Sequence, residues 1–195
     1  MRRGCGFARG HSIGEVKMKI VVAVTGSIAA YKAAELVRML VKSGDEVHVV
    51  MTPAACEFVR PLTFQTLSRN PVEVESFARV ENWVPEHISL AQSADLVVVA
   101  PATANTIAKM RGGIADNLLT SVLLAVKAPV LVAPAMNTGM WDNPATQENM
   151  AVLRGRGVRF VEPGEGELAC GTEGRGRMAE CDEIFKALQA LKNEI

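Results

Sequence analysis

The chain has 195 residues, of which 49% are hydrophobic, and this size and composition are typical of one compact domain with a substantial core. Its 21 basic and 21 acidic residues give a formal net charge of zero, which argues against nucleic acid or an anionic membrane as the main partner, because both need a concentrated basic surface. No apolar run approaches the roughly 20 residues that span a bilayer.

The cysteines and histidines indicate neither disulfides nor a metal site. The four cysteines form no CxxC pair, and the three histidines lack the spacing of metal ligands. We therefore expect no metal and a reducing, cytoplasmic setting. The residues concerned are Cys5, Cys56, Cys170 and Cys181, and His11, His48 and His87.

Residues 1–17 differ in character from the rest of the chain. They are basic and glycine-rich and contain no apolar stretch, so we expect a disordered tail followed by a single domain over residues 18–195. The β-branched run 19–25 predicts a first strand, and a turn at Gly26 and Ser27 leads into a helix that begins with Ile28 and ends at Gly44. A second strand follows at 46–51.

Strands and helices then alternate. Continuous apolar runs indicate strands buried on both faces, and the stretches between them carry helical patterns. This alternation predicts a three-layer, doubly wound parallel α/β sheet of Rossmann-like or flavodoxin-like type. The further strands are predicted at 95–100, 129–133 and 158–161, and the further helices at 103–110, 116–126, 144–154 and 182–193.

Two segments, 70–86 and 163–178, lack clear periodicity, and we expect long functional loops there. The second segment contains Cys170 among five glycines. It is interpreted as a mobile loop that closes over a site, and the alternative is a glycine-rich surface loop with an incidental cysteine.

Ligands of such sheets bind beyond the carboxyl ends of the strands. The first of these turns, Gly26 to Ile28, lies at a helix N-terminus, where backbone N–H groups favour a phosphate. The dinucleotide pattern GxGxxG is not met, because Ile28 and Tyr31 occupy its second and third glycine positions. This argues against an ordinary NAD site and leaves a mononucleotide open.

Polar residues also follow the other predicted strands. Thr52 is positioned either to add a hydroxyl to the phosphate cradle or to cap a helix. In PATANT, residues 101–106, Thr103 or Asn105 can cap a helix while facing a ligand. In PAMNTGMW, residues 134–141, an asparagine lies between two methionines that packing alone would also explain. His87 is predicted at the start of a short helix, where a histidine is more often structural than catalytic.

The segments GSIAAYK, EHISLAQSAD, PATANT, PAMNTGMW and ACGTEGRGRM, in this order and spacing, resemble the motifs of the homo-oligomeric flavin-containing cysteine decarboxylases. The resemblance runs from about Lys19 to the C-terminus, and Thr103 departs from it, since relatives often have serine there. The last segment resembles the substrate clamp of members that act on 4'-phosphopantothenoylcysteine. The resemblance implies FMN as cofactor, bound by Gly26, Ser27, Ile28, Thr52, Thr103, Ala104, Asn105, Thr106 and Ala135.

The resemblance also implies roles for three residues: His87 as an acid/base group at the flavin, Asn137 as the holder of the substrate carboxylate, and Cys170 as a proton donor. Further substrate contacts would come from Leu168, Ala169 and Met178. In the implied reaction, hydride leaves the carbon that bears sulfur, and the resulting thioaldehyde allows CO2 loss to an ene-thiolate. Return of hydride and a proton then gives 4'-phosphopantetheine, an intermediate of coenzyme A synthesis.

A homotrimer or dodecamer is implied too, with substrate supplied by a separate phosphopantothenate-cysteine ligase. Two alternatives share the flavin motifs: a peptidyl-cysteine decarboxylase, which would need a different clamp, and a non-catalytic FMN-binding regulatory protein. The combination of His87, Asn137 and Cys170 weighs against the regulatory protein and against a flavin prenyltransferase.

Overall fold

The protein is described by a computed structural model covering residues 17–75, 85–167, 171 and 173–195. Within these residues, six strands form a parallel sheet: β1 Lys19–Val24, β2 Glu46–Met51, β3 Val72–Glu73, β4 Leu96–Ala102, β5 Val130–Pro134 and β6 Arg159–Phe160. The helices are α1 Ala30–Lys42, α2 Pro53–Cys56, α3 Pro61–Ser68, α4 Glu86–Ser93, α5 Ala104–Gly112, α6 Leu118–Ala125, α7 Thr138–Trp141, α8 Pro144–Gly155 and α9 Cys181–Lys192. An antiparallel hairpin pairs β7 Gly164–Glu167 with β8 Glu173–Arg177.

The strand order in the sheet is β3-β2-β1-β4-β5-β6. The chain therefore builds outward from β1 in one direction and then returns to build outward from β4 in the other. This arrangement confirms the predicted doubly wound sheet, and it leaves a crevice at the carboxyl ends of the neighbouring strands β1 and β4, because the chain leaves these two strands in opposite directions.

Both faces of the sheet are buried, which explains why its strands read as continuous apolar runs. In β1, Ile20, Val22 and Val24 face the core beneath α1, α3 and α9. Val21 and Ala23 face the opposite core, built from α4, α5, α6 and α8. Three layers result, as predicted, and none of the helices in the described part of the chain is long and apolar enough to cross a membrane.

A buried carboxylate joins the start of β1 to the last helix. Asp45 accepts hydrogen bonds from the Met18 amide at 3.4 Å and from the Ser43 hydroxyl at 2.8 Å. It also forms an ion pair with Lys192 at the end of α9. These contacts lie at the amino edge of the sheet, opposite the crevice.

The prediction of a loop over 163–178 is wrong for most of that segment, because β7 and β8 pair there. Their sequences, GEGE and EGRGR, alternate glycine with charge and lack the apolar alternation that predicts strands. The helices α2, α3 and α7 and strand β3 were also not predicted. Residues 1–16 and 76–84 lie outside the described residues, so the disordered tail stays a prediction.

Candidate functional site

A cleft of about 600 Å³ lies at the carboxyl edge of the sheet, beyond the ends of β1 and β4. Segments that follow β1, β2, β4 and β5 all contribute to its wall. Within the described part of the chain, the lining residues are Gly26, Ser27, Thr52, Pro53, Ala54, Thr103, Ala104, Asn105, Thr106, Lys109, Asn117, Ala135, Met136 and Met140. The crevice predicted from the alternation of strands and helices is therefore present as a cavity of ligand size.

One end of the cleft depends on a close approach between two backbones. A Cβ added to Gly26 would lie 2.6 Å from the Cβ of Ala54, closer than real Cβ atoms come. Glycine is therefore required at residue 26 by space, with an ordinary backbone conformation. The contact brings the turn after β1 against the turn after β2.

Two threonines that line the cleft also cap helices. The Thr52 hydroxyl accepts a hydrogen bond from the Ala55 amide at 3.2 Å, and the Thr103 hydroxyl accepts one from the Thr106 amide at 3.3 Å. The cap proposed as one reading of Thr52 is thus confirmed, and the same residue faces the cleft. Because the first amides of a helix lack partners within the helix, the start of α5 presents N–H groups here.

The turns after β1 and β4 are tied together by Thr25. Its hydroxyl donates to the Pro101 carbonyl at 2.7 Å and accepts from the Thr103 amide at 3.0 Å. Thr25 is 1% exposed, so this link is shielded from water. It fixes the spacing of the two segments between which the cleft opens.

A cation lies among the lining residues on α5. The Lys109 ammonium is 2.6 Å from the Asp116 carboxylate, and this hydrogen bond is the main cause that lowers the pKa of Asp116 below its ordinary value. Next to it, Asn117 caps α6 in a reciprocal pair with Thr120. Lys109 thus brings positive charge to the cleft while remaining paired.

The opposite wall is apolar and comes from the segment after β5. Met136 and Met140 line the cleft, and Asn137 lies between them, exposed. The Asn137 side-chain oxygen accepts a hydrogen bond from the Gly139 amide at 2.8 Å, which caps the short helix α7. This cap orients the amide group at the rim of the cleft.

Strand β8 packs on that wall. The Met136 amide donates to the Gly176 carbonyl at 2.9 Å, so the wall continues the hydrogen bonding of the hairpin. A Cβ at Gly174 would lie 2.7 Å from the Thr138 hydroxyl oxygen, and one at Gly176 would collide with the Met136 carbonyl. Both glycines also have positive φ values, 149° and 137°. Glycine is required at these two positions by space and conformation together.

Of the nine residues predicted to bind a cofactor, all but Ile28 line the cleft. Ile28 is 55% exposed and lies outside the lining residues. His87 lies in the first turn of α4, as predicted, is half-buried, and does not line this cleft in a single chain. Eight of the nine predicted cofactor residues are therefore brought to one cavity, whereas Asn137, His87 and Ile28 are not among its lining residues.

Of the remaining predicted substrate-binding and catalytic residues, the structure describes only Met178. Leu168, Ala169 and Cys170 lie outside the described residues. Met178 is 2% exposed and packs in the core shared by α1 and α9, away from the cleft surface. Its predicted contact with substrate stays a prediction.

Six lining residues were not predicted from the sequence: Pro53, Ala54, Lys109, Asn117, Met136 and Met140. Lys109 follows Asn105 by four positions and Thr106 by three, the spacing of neighbours on one helix face, so PATANT contained a signal for it. Ala54 carried no such signal, because its role depends on a contact with Gly26 that only the fold creates.

The chemistry of the cleft fits a flavin mononucleotide. Its hydroxyls and helix-start amides suit a phosphate, while Ala135, Met136 and Met140 offer apolar surface to a planar ring. Because Gly26 has no side chain, a phosphate can approach its backbone closely.

A protein-family model described as Flavoprotein matches residues 9–193. The chain is 48% identical over 173 residues to a probable phosphopantothenoylcysteine decarboxylase of Streptococcus mutans, covering 88% of this chain and 97% of that protein. It is 51% identical over 167 residues to the coenzyme A biosynthesis bifunctional protein CoaBC of Bacillus subtilis, covering 86% of this chain. The chain spans 41% of the length of that bifunctional relative.

Solved structures of similar proteins share the fold. A cysteine-to-serine mutant of PPC decarboxylase, complexed with pantothenoylaminoethenethiol, superposes with a TM-score of 0.81 at 33% identity, covering 91% of this chain and 99% of that one. The FMN binding protein AtHal3 superposes with a TM-score of 0.80 at 33% identity, covering 92% of this chain and 98% of that one.

Proposed function

Because the chain belongs to the flavoprotein family, we propose that it is an FMN-dependent carboxy-lyase that converts 4'-phosphopantothenoylcysteine to 4'-phosphopantetheine in coenzyme A synthesis. The observation that carries the proposal is the cleft at the β1–β4 crevice, lined by nearly all the residues that the sequence motifs assign to FMN. The decarboxylase similar over its whole length supports the substrate, and the FMN-binding neighbour supports the cofactor.

The residues of the cleft divide between the two ends of the proposed cofactor. Gly26, Ser27 and Thr52 would hold the phosphate with the start of α5, and Ala135 would lie near the ring. When bound, FMN supplies reversible two-electron chemistry, which a cysteine carboxylate needs because its decarboxylation otherwise has no electron sink.

Asn137 would hold the substrate carboxylate. The hydrogen bond from the Gly139 amide to its side-chain oxygen fixes the orientation of the amide group, whose N–H2 end is the donor that a carboxylate requires. A neutral donor suits this task, because it fixes the carboxylate without the ion pairing that would oppose its loss as CO2. The substrate carbon would then lie at the rim formed by Met136 and Met140.

Proton transfer would fall to His87 and Cys170. An imidazole changes charge near neutral pH, and a thiol can donate a proton to the ene-thiolate carbon so that the saturated product forms. His87 does not line the cleft of a single chain, and sites shared between the subunits of a homotrimer or dodecamer would bring it to the flavin. The proposal includes a cytoplasmic location and a separate ligase that supplies the substrate.

Incubation of the purified protein, loaded with FMN, with 4'-phosphopantothenoylcysteine tests the proposal. Mass spectrometry should detect loss of CO2 and formation of 4'-phosphopantetheine without added reductant, because hydride is removed and returned within one turnover. A flavin-loaded protein that leaves this substrate intact but decarboxylates a peptide with a C-terminal cysteine would contradict the substrate assignment. A protein unable to bind FMN would contradict the entire proposal.

A further inference from the structure

One contact between the β7–β8 hairpin and the Asn137 segment is energetically unfavourable. The Thr138 hydroxyl is buried beneath Gly174 and has no hydrogen-bond partner within the described residues. Burial of an unsatisfied hydroxyl costs free energy, so this contact by itself favours separation of the hairpin from the segment. Other contacts must hold β8 in place: the Met136 amide donates to the Gly176 carbonyl, and side chains of β8 add to this bond.

Arg175, between the two glycines of β8, makes the contacts that can do so. Its guanidinium carbon lies 5.4 Å from the centroid of the Trp141 ring, within cation–π range. Its Nη2 atom donates to Glu162 Oε2 at 3.1 Å. Trp141 is the last residue of α7, and Asn137 is the N-cap of the same helix. Arg175 therefore contacts the C-terminal end of the segment whose N-terminal end carries Asn137, the residue proposed to bind the substrate carboxylate.

Glu162 is itself held from the other side. Its Oε1 atom accepts a hydrogen bond from Arg154 of α8 at 2.5 Å, and Arg154 lies 4.9 Å from the centroid of the Phe160 ring in β6. The contacts therefore run from Trp141 through Arg175, Glu162 and Arg154 to Phe160, and they connect the hairpin with α7, α8 and the sheet. We call this set of five residues the arginine strap.

We propose that Arg175 is a positioning residue, which through the arginine strap holds the β7–β8 hairpin on the segment 136–141 and so fixes Asn137 for the substrate carboxylate. The inference rests on the proposed function for its kinetic part only. The ion pair between Arg175 and Glu162 is half-exposed, with side-chain exposures of 43% and 51%. Arg175 therefore contributes to the orientation of the hairpin more than to the global stability of the protein.

The test compares Arg175→Met with Arg111→Met in the FMN-loaded enzyme. Arg111 makes a matched ion pair with Glu148 at 3.1 Å, with side-chain exposures of 44% and 65%, and this pair joins α5 to α8, away from the hairpin. Loss of a cation–π contact and one ion pair should raise KM for 4'-phosphopantothenoylcysteine by about tenfold in Arg175→Met, with FMN affinity unchanged. Arg111→Met should leave both quantities at their wild-type values.

Two readouts are independent of turnover. Cleavage by a glutamate-specific protease after Glu165 or Glu173 should accelerate in Arg175→Met, because the hairpin spends more time undocked. In a Trp83→Phe background, which leaves Trp141 as the single tryptophan, acrylamide should quench Trp141 fluorescence more strongly once Arg175 is removed. Adding Thr138→Val to Arg175→Met should slow the cleavage again, since the unsatisfied hydroxyl is gone.

Unchanged cleavage, quenching and KM in Arg175→Met would overturn the inference. If the wild-type enzyme does not decarboxylate the substrate at all, the proposed function fails, whereas cleavage and quenching still decide whether Arg175 docks the hairpin. Equal effects from Arg111→Met would also overturn the inference, because they would assign the change to lost surface charge in general.

Discussion

Gly26 meets Ala54 so closely that a methyl group on Gly26 would lie 2.6 Å from the Ala54 side chain. Gly26→Ala must therefore push apart the turns after β1 and β2, which form one end of the cleft. Overpacking of this kind costs about 1–3 kcal/mol, and we expect FMN to bind roughly 10- to 100-fold more weakly.

Fluorescence titration of the apoprotein with FMN measures this loss. Gly155→Ala is the matched control, because a Cβ there meets no atom within 4 Å. Wild-type FMN affinity in Gly26→Ala would show that the close approach plays no part in cofactor binding.

Asn137→Asp should stop the reaction before CO2 is released. An aspartate can still accept the Gly139 amide and cap α7, so the fold should persist, but its negative charge would face the substrate carboxylate. Two like charges that face each other in a binding site cost several kcal/mol, and we expect turnover at neutral pH to fall by at least about 100-fold.

The control is Asn143→Asp, since Asn143 caps α8 in the same way, accepting from the Ala145 amide at 2.9 Å. Measurement of CO2 release by both variants separates the carboxylate contact from the loss of an asparagine cap. Equal rates in the two variants would remove the proposed role of Asn137.

Cys170→Ser should release CO2 but accumulate the unsaturated ene-thiol, because a serine hydroxyl is a far weaker proton donor than a thiol at neutral pH. Mass spectrometry of the products distinguishes the ene-thiol, lighter by two hydrogens, from 4'-phosphopantetheine. Cys181→Ser should give the saturated product, since Cys181 is buried against the Lys32 carbonyl, and burial raises the pKa of its thiol. Saturated product from Cys170→Ser would exclude Cys170 as the proton donor.

Glu180 links stability to pH. The hydrogen bond from Lys32 is the main cause that lowers the pKa of Glu180 below its ordinary value of 4.5. A lowered pKa in the folded state adds stability that is present above 4.5 and is lost as pH falls through the folded-state pKa. Glu180→Gln should therefore reduce the free energy of unfolding at pH 7, by less than about 1 kcal/mol because the carboxylate is half-exposed.

Urea denaturation of wild type and Glu180→Gln between neutral pH and pH 3 checks this. The difference between the two proteins should shrink as the solution becomes acidic, and added salt should reduce it at pH 7. A difference that stays constant down to pH 3 would show that the Lys32 contact is not linked to ionisation of Glu180.

Hydrophobic pattern was sufficient to predict five of the six strands of the sheet, all but β3, and most of its helices. The run that became β4, and the run of β1 after Lys19, are apolar throughout because both faces of the sheet are covered there, and a run of this kind is visible without any knowledge of partners. Since ligands bind at the carboxyl ends of such strands, the polar residues after them, such as Thr52 and Thr103, were also predictable as site candidates.

The hairpin and the strap were not predictable in this way. Strand β8 forms because Gly174 and Gly176 allow it to lie against Thr138 and Met136, residues far away in sequence. The contact of Arg175 with Trp141 likewise depends on the folded arrangement of α7. Neither the strand β8 nor the Arg175 contact produces a periodic pattern in the sequence. A glycine-rich segment is therefore predicted as a loop when the surface that it packs against is unknown.

The contacts of Asp45 with both ends of the fold have a practical consequence. By binding both the Met18 amide and Lys192, Asp45 holds the two ends of the described fold side by side at the edge of the sheet farthest from the cleft. A short linker could join them there, and new termini could be opened in an exposed loop elsewhere, without disturbing a residue that touches the proposed flavin. The same geometry makes this edge the natural point of attachment for a solid support or a fused partner.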